Sequence, residues 1–327
     1  MATSAPTIPS LWWGRASRSL AQQEGLVGAA IVVLVAVIGL INPDFLDGRN
    51  LTDILVNTAY ISVAAVGMTM VIVSGNIDIS IGSILGVCAT IAGKLAVSGV
   101  PVPLAFLAAI AAGGMLGLVN GMLVAFARIP AIVATLGTLS ILRGGLILVT
   151  QGEWISNMPE PFYISQRSLA GVPIPIWVMA AVVTAGWFWM RYTPGGRALY
   201  AVGGNRDSAR LAGIDPRWVT VQVFTANGVL VGLAAVLYAA RFTTIQSNAG
   251  LGLELIVITA AVVGGVSILG GSGSVLGALL GALLINVIST GLVFLKISPF
   301  WLQSVQGCLI LVTVLVDVVR RRRVNRR

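Results

Sequence analysis

Long apolar runs separated by short polar or glycine-rich breaks pattern almost the whole chain. Runs near the roughly 20 residues that a bilayer core demands occupy 26–42, 52–74, 81–98, 102–127, 131–150, 173–190, 218–240, 253–270, 275–295 and 300–319. In lipid a backbone must satisfy its own hydrogen bonds, so segments of this length are predicted to be helices. The expectation is an all-α polytopic membrane protein of about ten transmembrane helices. Residues 1–25 are read as a cytoplasmic N-terminal segment, 26–319 as the transmembrane domain with an inner loop at 191–217, and 320–327 as a basic cytoplasmic tail.

Composition agrees with this pattern. Of 327 residues, 57% are hydrophobic and only 9% charged, against about 25% charged in soluble chains. Mean hydropathy is +0.96. Glycine, at 39 residues, exceeds its usual share of roughly 7%, as close helix packing in lipid would require. An even number of spans puts both termini on one side, and the cationic residues choose which. With the termini in the cytoplasm, Arg15, Arg18, Arg128, Arg191, Arg197, Arg206, Arg210, Arg217 and the C-terminal arginines lie inside. Only Arg49, Arg167, Arg241 and Lys296 lie outside, the bias of the positive-inside rule.

The net charge of +9 therefore belongs to inner loops facing a lipid bilayer. It forms no basic stripe interleaved with aromatics, so nucleic acid is not an expected partner. No small-x-small cleavage site follows the first apolar run, which reads as a retained helix. Cys88 and Cys308 lie in apolar segments as packing thiols; histidine is absent and no metal-ligand spacing occurs, so no metal site is expected. The chain also lacks a P-loop and the G-x-S-x-G and H-E-x-x-H motifs. It is expected not to be an enzyme and to bind no cofactor itself.

Candidate chemistry sits in the breaks. "VSGNIDISIGSILG" (73–86) places Asn76, Asp78 and Ser80 between two apolar runs and then spaces Gly82 and Gly86 four apart. Gly273, Gly277 and Gly281 repeat that spacing, with Gly273-Ser274-Val275-Leu276-Gly277 echoing residues 82–86 as a weak internal repeat. Residues four apart share one helical face, so each ladder lets a neighbouring helix press close; Gly113, Gly117 and Gly121 form another. Two readings of 73–86 stand open: a capped turn, with Asp78 or Ser80 capping the next helix, or a break that reaches into the membrane as a gate. Arg143 is the deepest charge, read either as an anchor to carbonyls or an acid, or as a polar lining. Asn57, Asn120, Asn227 and Asn286 are the buried amides. The pathway or gate candidates are Asn76, Asp78, Ser80, Asn120, Arg143 and Asn227.

Two loops are long. The outer loop, 151–168, is a connector or a docking surface for a soluble partner. In the inner loop, "NRDSARLAGIDP" reads as a short helix with Asn205 as N-cap, Asp207 in the first turn, Gly213 at the end and Pro216 as the stop. Arg206 and Arg210 share a face, with Leu211 and Ile214 as apolar contacts.

That inner loop resembles the coupling helix of ABC importer permeases, with Ala209 and Gly213 in place. "SGNIDISIGSILG", "ARIPAIVATLGTLSILRG" and "AAVVGGVSILGGSGSVLGALLGA" resemble the permease subunits of ribose, xylose, rhamnose and autoinducer-2 importers, over about residues 40–317. "IPAIVATLGTL" and "GLGLELIVITAAVVGG" look closest to the autoinducer-2 or rhamnose type. The loop departs from the pattern in lacking the glutamate that opens it in many importer permeases; Arg206 and Asp207 stand there instead. The resemblance implies a multi-pass half-transporter of the bacterial inner membrane, with a second permease subunit, identical or paralogous, across the path. It implies a cytoplasmic ATP-binding subunit holding ATP and Mg, coupled through Arg206, Asp207, Ala209, Arg210, Leu211 and Gly213. It implies also a periplasmic sugar-binding protein. The rival reading is a stand-alone proton-coupled sugar carrier.

Overall fold

A computed structural model describes residues 11–325, with side chains described from 23 to 315. Residues 1–10 of the N-terminal segment and Arg326 and Arg327 of the tail lie outside the described residues. The helices run in order α1 (Leu11–Ile41), α2 (Gly48–Val73), α3 (Ile81–Val97), α4 (Val102–Ala125), α5 (Ala131–Thr150), α6 (Ile174–Tyr192), α7 (Pro194–Gly204), α8 (Arg206–Leu211), α9 (Pro216–Ala239), α10 (Leu253–Val263), α11 (Val275–Phe294) and α12 (Trp301–Asn325). A two-residue hairpin, β1 (Ser168–Leu169) with β2 (Val172–Pro173), completes the outer loop.

Among the described residues, seven helices are long and apolar enough to cross a membrane: Gln23–Ile41 within α1, then α2, α4, α5, α6, α9 and α11. The apolar α3, α10 and Trp301–Leu315 of α12 are shorter. The chain is a multi-pass, mostly helical membrane protein. Two boundaries differ from expectation. Helix α1 begins at Leu11 rather than at residue 26, and α12 carries the basic run at 320–323 on helical backbone.

The larger departure is at 253–270, expected as a full span. Helix α10 stops after 11 residues, about 16 Å at 1.5 Å per residue, half the hydrocarbon core. Beyond it the chain turns through Gly265, Gly270 and Gly271 at φ +98°, +81° and +75°, a region that side chains with a Cβ rarely enter.

Helix α2 is the axis of the bundle, buried along its C-terminal half from Ile61 to Val73. Helix α5 is the opposite case, with Val133, Ile141, Leu148 and Val149 exposed on its outward face. Where hydroxyls fall on apolar helices they bond back to their own turn: Thr58, Thr69, Thr225 and Thr259 each donate to the carbonyl four residues earlier.

Glycine sets the closest approaches. A Cβ on Gly113 or Gly117 would land on the Gly228 or Phe224 carbonyl of α9, and one on Gly228 would land on the Gly113 carbonyl. Helices α4 and α9 thus interlock backbone to backbone, and Gly228 and Gly232 supply the half of the ladder that sequence reading overlooked. The two echoed ladders hold one segment between them. On α3, Gly82 and Gly86 press on the carbonyls of Gly250 and Ala249, and on α11, Gly277 and Gly281 press on those of Gly264 and Ala260. The partner of Gly82 and Gly86 is therefore a non-helical stretch preceding α10, not a helix as expected.

The outer loop is ordered. Ile155 pairs with Ile245, Phe162 is fully buried and meets Phe106 edge-on at 5.1 Å, and the Ser165 hydroxyl donates to the Leu237 carbonyl at 2.9 Å.

Valine at Gly117 is expected to destabilise the chain by at least about 3 kcal/mol, since backbone on both sides prevents relief. Gly28→Ala, with nothing within 4 Å of the added carbon, is expected to be neutral or slightly stabilising. Thermal unfolding of the two purified variants checks this; equal midpoints would contradict the interlock.

Candidate functional site

The non-helical stretch 74–80 leaves the end of α2 and climbs into the helix layer. Asp78 is fully buried. One of its carboxylate oxygens accepts from the backbone N–H and the hydroxyl of Ser80. The other accepts from the Asn227 amide at 2.9 Å. Asn227 is the twelfth residue of α9, about 16 Å from its start, so the break reaches the middle of the helix layer rather than forming a surface elbow. Ser80 is the N-cap residue of α3 but makes no side-chain capping bond; its hydroxyl serves Asp78 instead. Neither Asp78 nor Ser80 caps the first turn of α3 in the manner expected.

From Ser80 the network continues outward. The Asn120 amide donates to the Ser80 hydroxyl at 2.9 Å, and the Thr138 hydroxyl donates to the Asn120 carbonyl oxygen at 2.7 Å. The Ile79 N–H donates to Thr135 at 3.1 Å. One break thereby ties α9, α3, α4 and α5 together through Asn227, Asp78, Ser80, Asn120 and Thr138. In a low-dielectric interior a chain of satisfied bonds fixes one arrangement, and a stranded member is costly. The start of α3 also directs its positive dipole end toward the Asp78 region, which favours a carboxylate there.

A second discontinuity lies beside the first. Residues 240–252 leave the end of α9 without helical structure and run along α3, with Ile245 level with Gly93, Ala249 with Gly86, and Gly250 with Gly82. The Glu254 carboxylate in the first turn of α10 lies against Gly82, so the starts of α3 and α10 stand side by side. Arg143 donates to the Ala249 carbonyl at 2.9 Å and interacts with the Glu254 charge. It belongs to this second discontinuity and takes no part in the Asp78 network. Asn286 also stands apart, bonded to the Ala282 carbonyl of its own helix at 3.1 Å.

A third irregular segment, the turn at 264–274 that follows α10, meets the first break where that break leaves α2. The Gly271 N–H donates to the Val73 carbonyl at 2.9 Å. A Cβ on Gly270 would come within 2.9 Å of the Gly75 Cα, and one on Gly203 would fall on the Val73 carbonyl. Gly203 closes α7, an amphipathic helix unforeseen in the glycine-rich "PGGRALYAVGG"; Thr193 caps it with Pro194 in its first turn. The Tyr200 hydroxyl on α7 donates to the Gly273 carbonyl at 2.8 Å. Burial pushes this phenol up to about 12, with the Arg191 charge opposing.

Helix α8 follows at once. Asn205 accepts from the N–H groups of Asp207 and Ser208 at 3.0 and 2.9 Å, and Gly213 turns the chain at φ +80°. Pro216 opens α9 at its first turn. Arg206 donates to the Asn76 side-chain oxygen at 3.1 Å, so the short helix holds the first break directly. Ala209 is buried, whereas Leu211 is 91% exposed and makes none of the apolar contact expected within the chain. Asp207 and Arg210 form only a loose, exposed pair at 4.0 Å, worth little in water.

Sequence reasoning passed over Thr138, Glu254, Tyr200 and Gly203. Glu254 left a readable signal, as the lone acid within an apolar run. Among the described residues no group of three or more His, Cys, Asp or Glu is placed to hold a metal ion.

Residues 50–314 match the family described as branched-chain amino acid transport system / permease component. The ribose import permease protein RbsC of Haemophilus influenzae is 37% identical over 305 residues, covering 92% of this chain and 94% of that protein. The autoinducer 2 import system permease protein LsrC of Escherichia coli (strain K12 / DH10B) is 37% identical over 289 residues, covering 88% and 84%. The two kinds match at equal identity, so likeness alone does not separate the autoinducer-2 type from the ribose type.

Asp78→Ala strands the Ser80 and Asn227 donors and is expected to cost at least about 2 kcal/mol of stability, read from thermal unfolding; an unchanged midpoint would show the network is idle. For Tyr200, a folded-state value raised above the ordinary phenol near 10 contributes stability that is complete below pH ~10 and lost as pH climbs toward about 12. Over that window the melting temperature of the native chain is expected to fall more steeply than that of Tyr200→Phe, and parallel curves would contradict it.

Proposed function

The chain belongs to the family of branched-chain amino acid transport system permease components, and we propose that it forms the membrane path of an importer for a sugar or sugar-like molecule. It is a permease subunit of an ABC importer; ATP hydrolysis belongs to a separate subunit. In this reading that cytoplasmic subunit holds ATP and Mg, a periplasmic binding protein delivers substrate, and a second permease subunit faces this one across the path. Ten membrane crossings, cytoplasmic termini and a bacterial inner membrane complete the arrangement, supported by the cationic bias of alternate loops.

The observation that carries the mechanism is the junction at 203–206. Gly203 lies against the start of the first break and beside the turn at 264–274, and Arg206 bonds Asn76 within the first break. The neighbouring α8 exposes Leu211, an apolar side chain available to a partner. Closure of the ATP-binding subunits would displace α8, and with it the packing that holds the first break and the turn at 264–274 in register. Access alternates as the breaks shift between two arrangements of an interlocked, bistable packing.

The names of the family and of the relatives point to different cargoes, amino acid against ribose or autoinducer-2. Uptake into proteoliposomes holding the complete transporter separates them; ribose or autoinducer-2 is expected to be accumulated and leucine not. The stand-alone proton carrier draws on one observation, the buried Asp78. Accumulation by this chain alone under a proton gradient, without the ATP-binding subunit, would establish that rival and overturn the proposal. Arg210→Glu is expected to cut ATP-driven uptake more than about tenfold, as charge reversal at a docking face does, while membrane insertion stays intact. Normal uptake in that variant would remove α8 from the coupling route.

A further inference from the structure

The inner face holds a cavity of about 700 Å³ between the α4–α5 connection, α8 and the start of α9. Its polar wall is Arg128, Arg206, Arg210 and Arg217 with Asn76 and Thr220, and no carboxylate lines it. A second cavity of about 630 Å³ shares Arg128, Arg210 and Arg217 and adds Asp215. That acid is already engaged, accepting from the Arg217 N–H at 2.9 Å. Asp207 reaches only Arg210, at 4.0 Å and almost fully exposed. Among the described residues, Arg128 and Arg217 have no ion pair.

Three further features converge on the same space. The first residues of α5, Ala131 and Ile132, and of α9, Pro216 and Arg217, line it, so two long helices aim their positive dipole ends inward. Arg128 is held at φ +57°, a conformation that costs energy for any residue with a Cβ and that here places it on the wall. The apolar part of the wall, Val124, Ile129 and Ile132, adjoins the exposed pair Phe126 and Trp218, whose rings meet edge-on at 5.5 Å.

Four guanidinium groups line one cavity whose wall carries no carboxylate, and a bound anion balances their charge. Guanidinium forks match phosphate oxygens in pairs, which carboxylate-free walls and helix starts reinforce. We propose that this vestibule binds a phosphate group, from an anionic phospholipid or a soluble phosphate ester, and that the bound group links α8 to the α4–α5 connection. Because Arg206 and Arg210 belong to α8 while Arg128 does not, occupancy stiffens the short helix against the membrane domain. The site goes beyond the transport reading and is tested without it, since its binding assay needs no uptake.

The test has two arms on the purified full-length chain in nanodiscs. In the soluble arm, inorganic phosphate and ribose 5-phosphate are titrated by calorimetry into phosphatidylcholine discs. In the lipid arm, native mass spectrometry counts phosphatidylglycerol molecules retained from mixed discs. Saturable binding in at least one arm is expected, and which arm responds identifies the source. Arg128→Gln and Arg217→Gln are each expected to weaken it about tenfold, whereas Arg191→Gln, outside the cavity, leaves it unchanged. Binding by the native chain is expected to weaken as sodium chloride rises, a readout that needs no variant to fold. Absence of saturable binding in both arms overturns the site. Binding indifferent to salt, or unchanged with Arg128 and Arg217 both replaced, overturns it equally.

Discussion

A backbone hydrogen bond from the Gly271 N–H to the Val73 carbonyl joins the break at 74–80 to the irregular segment at 264–274. Non-helical backbone is tolerated at membrane depth only where protein or a water-filled cavity satisfies its polar groups. Here each break supplies part of what the other lacks, and the approach is close enough that only glycine fits at 203 and 270. The consequence is mutual dependence. Neither break moves without opening a contact of the other, and the residue wedged against both belongs to the helix that leads into α8.

A second consequence concerns where rigidity ends. The Asp78 network binds α3, α4, α5 and α9 through side-chain hydrogen bonds, with the Asn227 side-chain oxygen buried and unpartnered, and α4 and α9 interlock through glycine. This block has one arrangement. Segments 240–252 and 264–274 are held differently, by glycine faces of α3 and α11 pressing on carbonyls from opposite ends of α10. A block cross-linked by side-chain hydrogen bonds thus stands beside a half-helix gripped by glycine faces.

Much of this was legible in the residues. Apolar runs located the seven helices that, among the described residues, are long and apolar enough to cross a membrane, since lipid imposes length and composition together. Asn205 and Gly213 bounded α8, because caps answer to local chemistry. The site candidates Asp78, Ser80, Asn120 and Asn227 fall into one network, although the sequence said nothing of who bonds to whom. What escaped had physical reasons. Composition cannot distinguish an apolar helix from an apolar turn, so 253–270 read as a full span although paired glycines at 264–265 and 270–271 mark its end. The partners of a glycine ladder are set by tertiary packing, which left Gly228 and Gly232 unnoticed.

The most direct measurement is hydrogen exchange in the assembled transporter, comparing the nucleotide-free state with one trapped after ATP binding. If α8 acts through Gly203 on the joined breaks, peptides covering 264–274 lose protection in the trapped state, as the Gly271 bond to Val73 opens, while those covering the α4–α9 interlock do not change. Protection of 264–274 that stays identical in both states, in a transporter that still accumulates substrate, would contradict it.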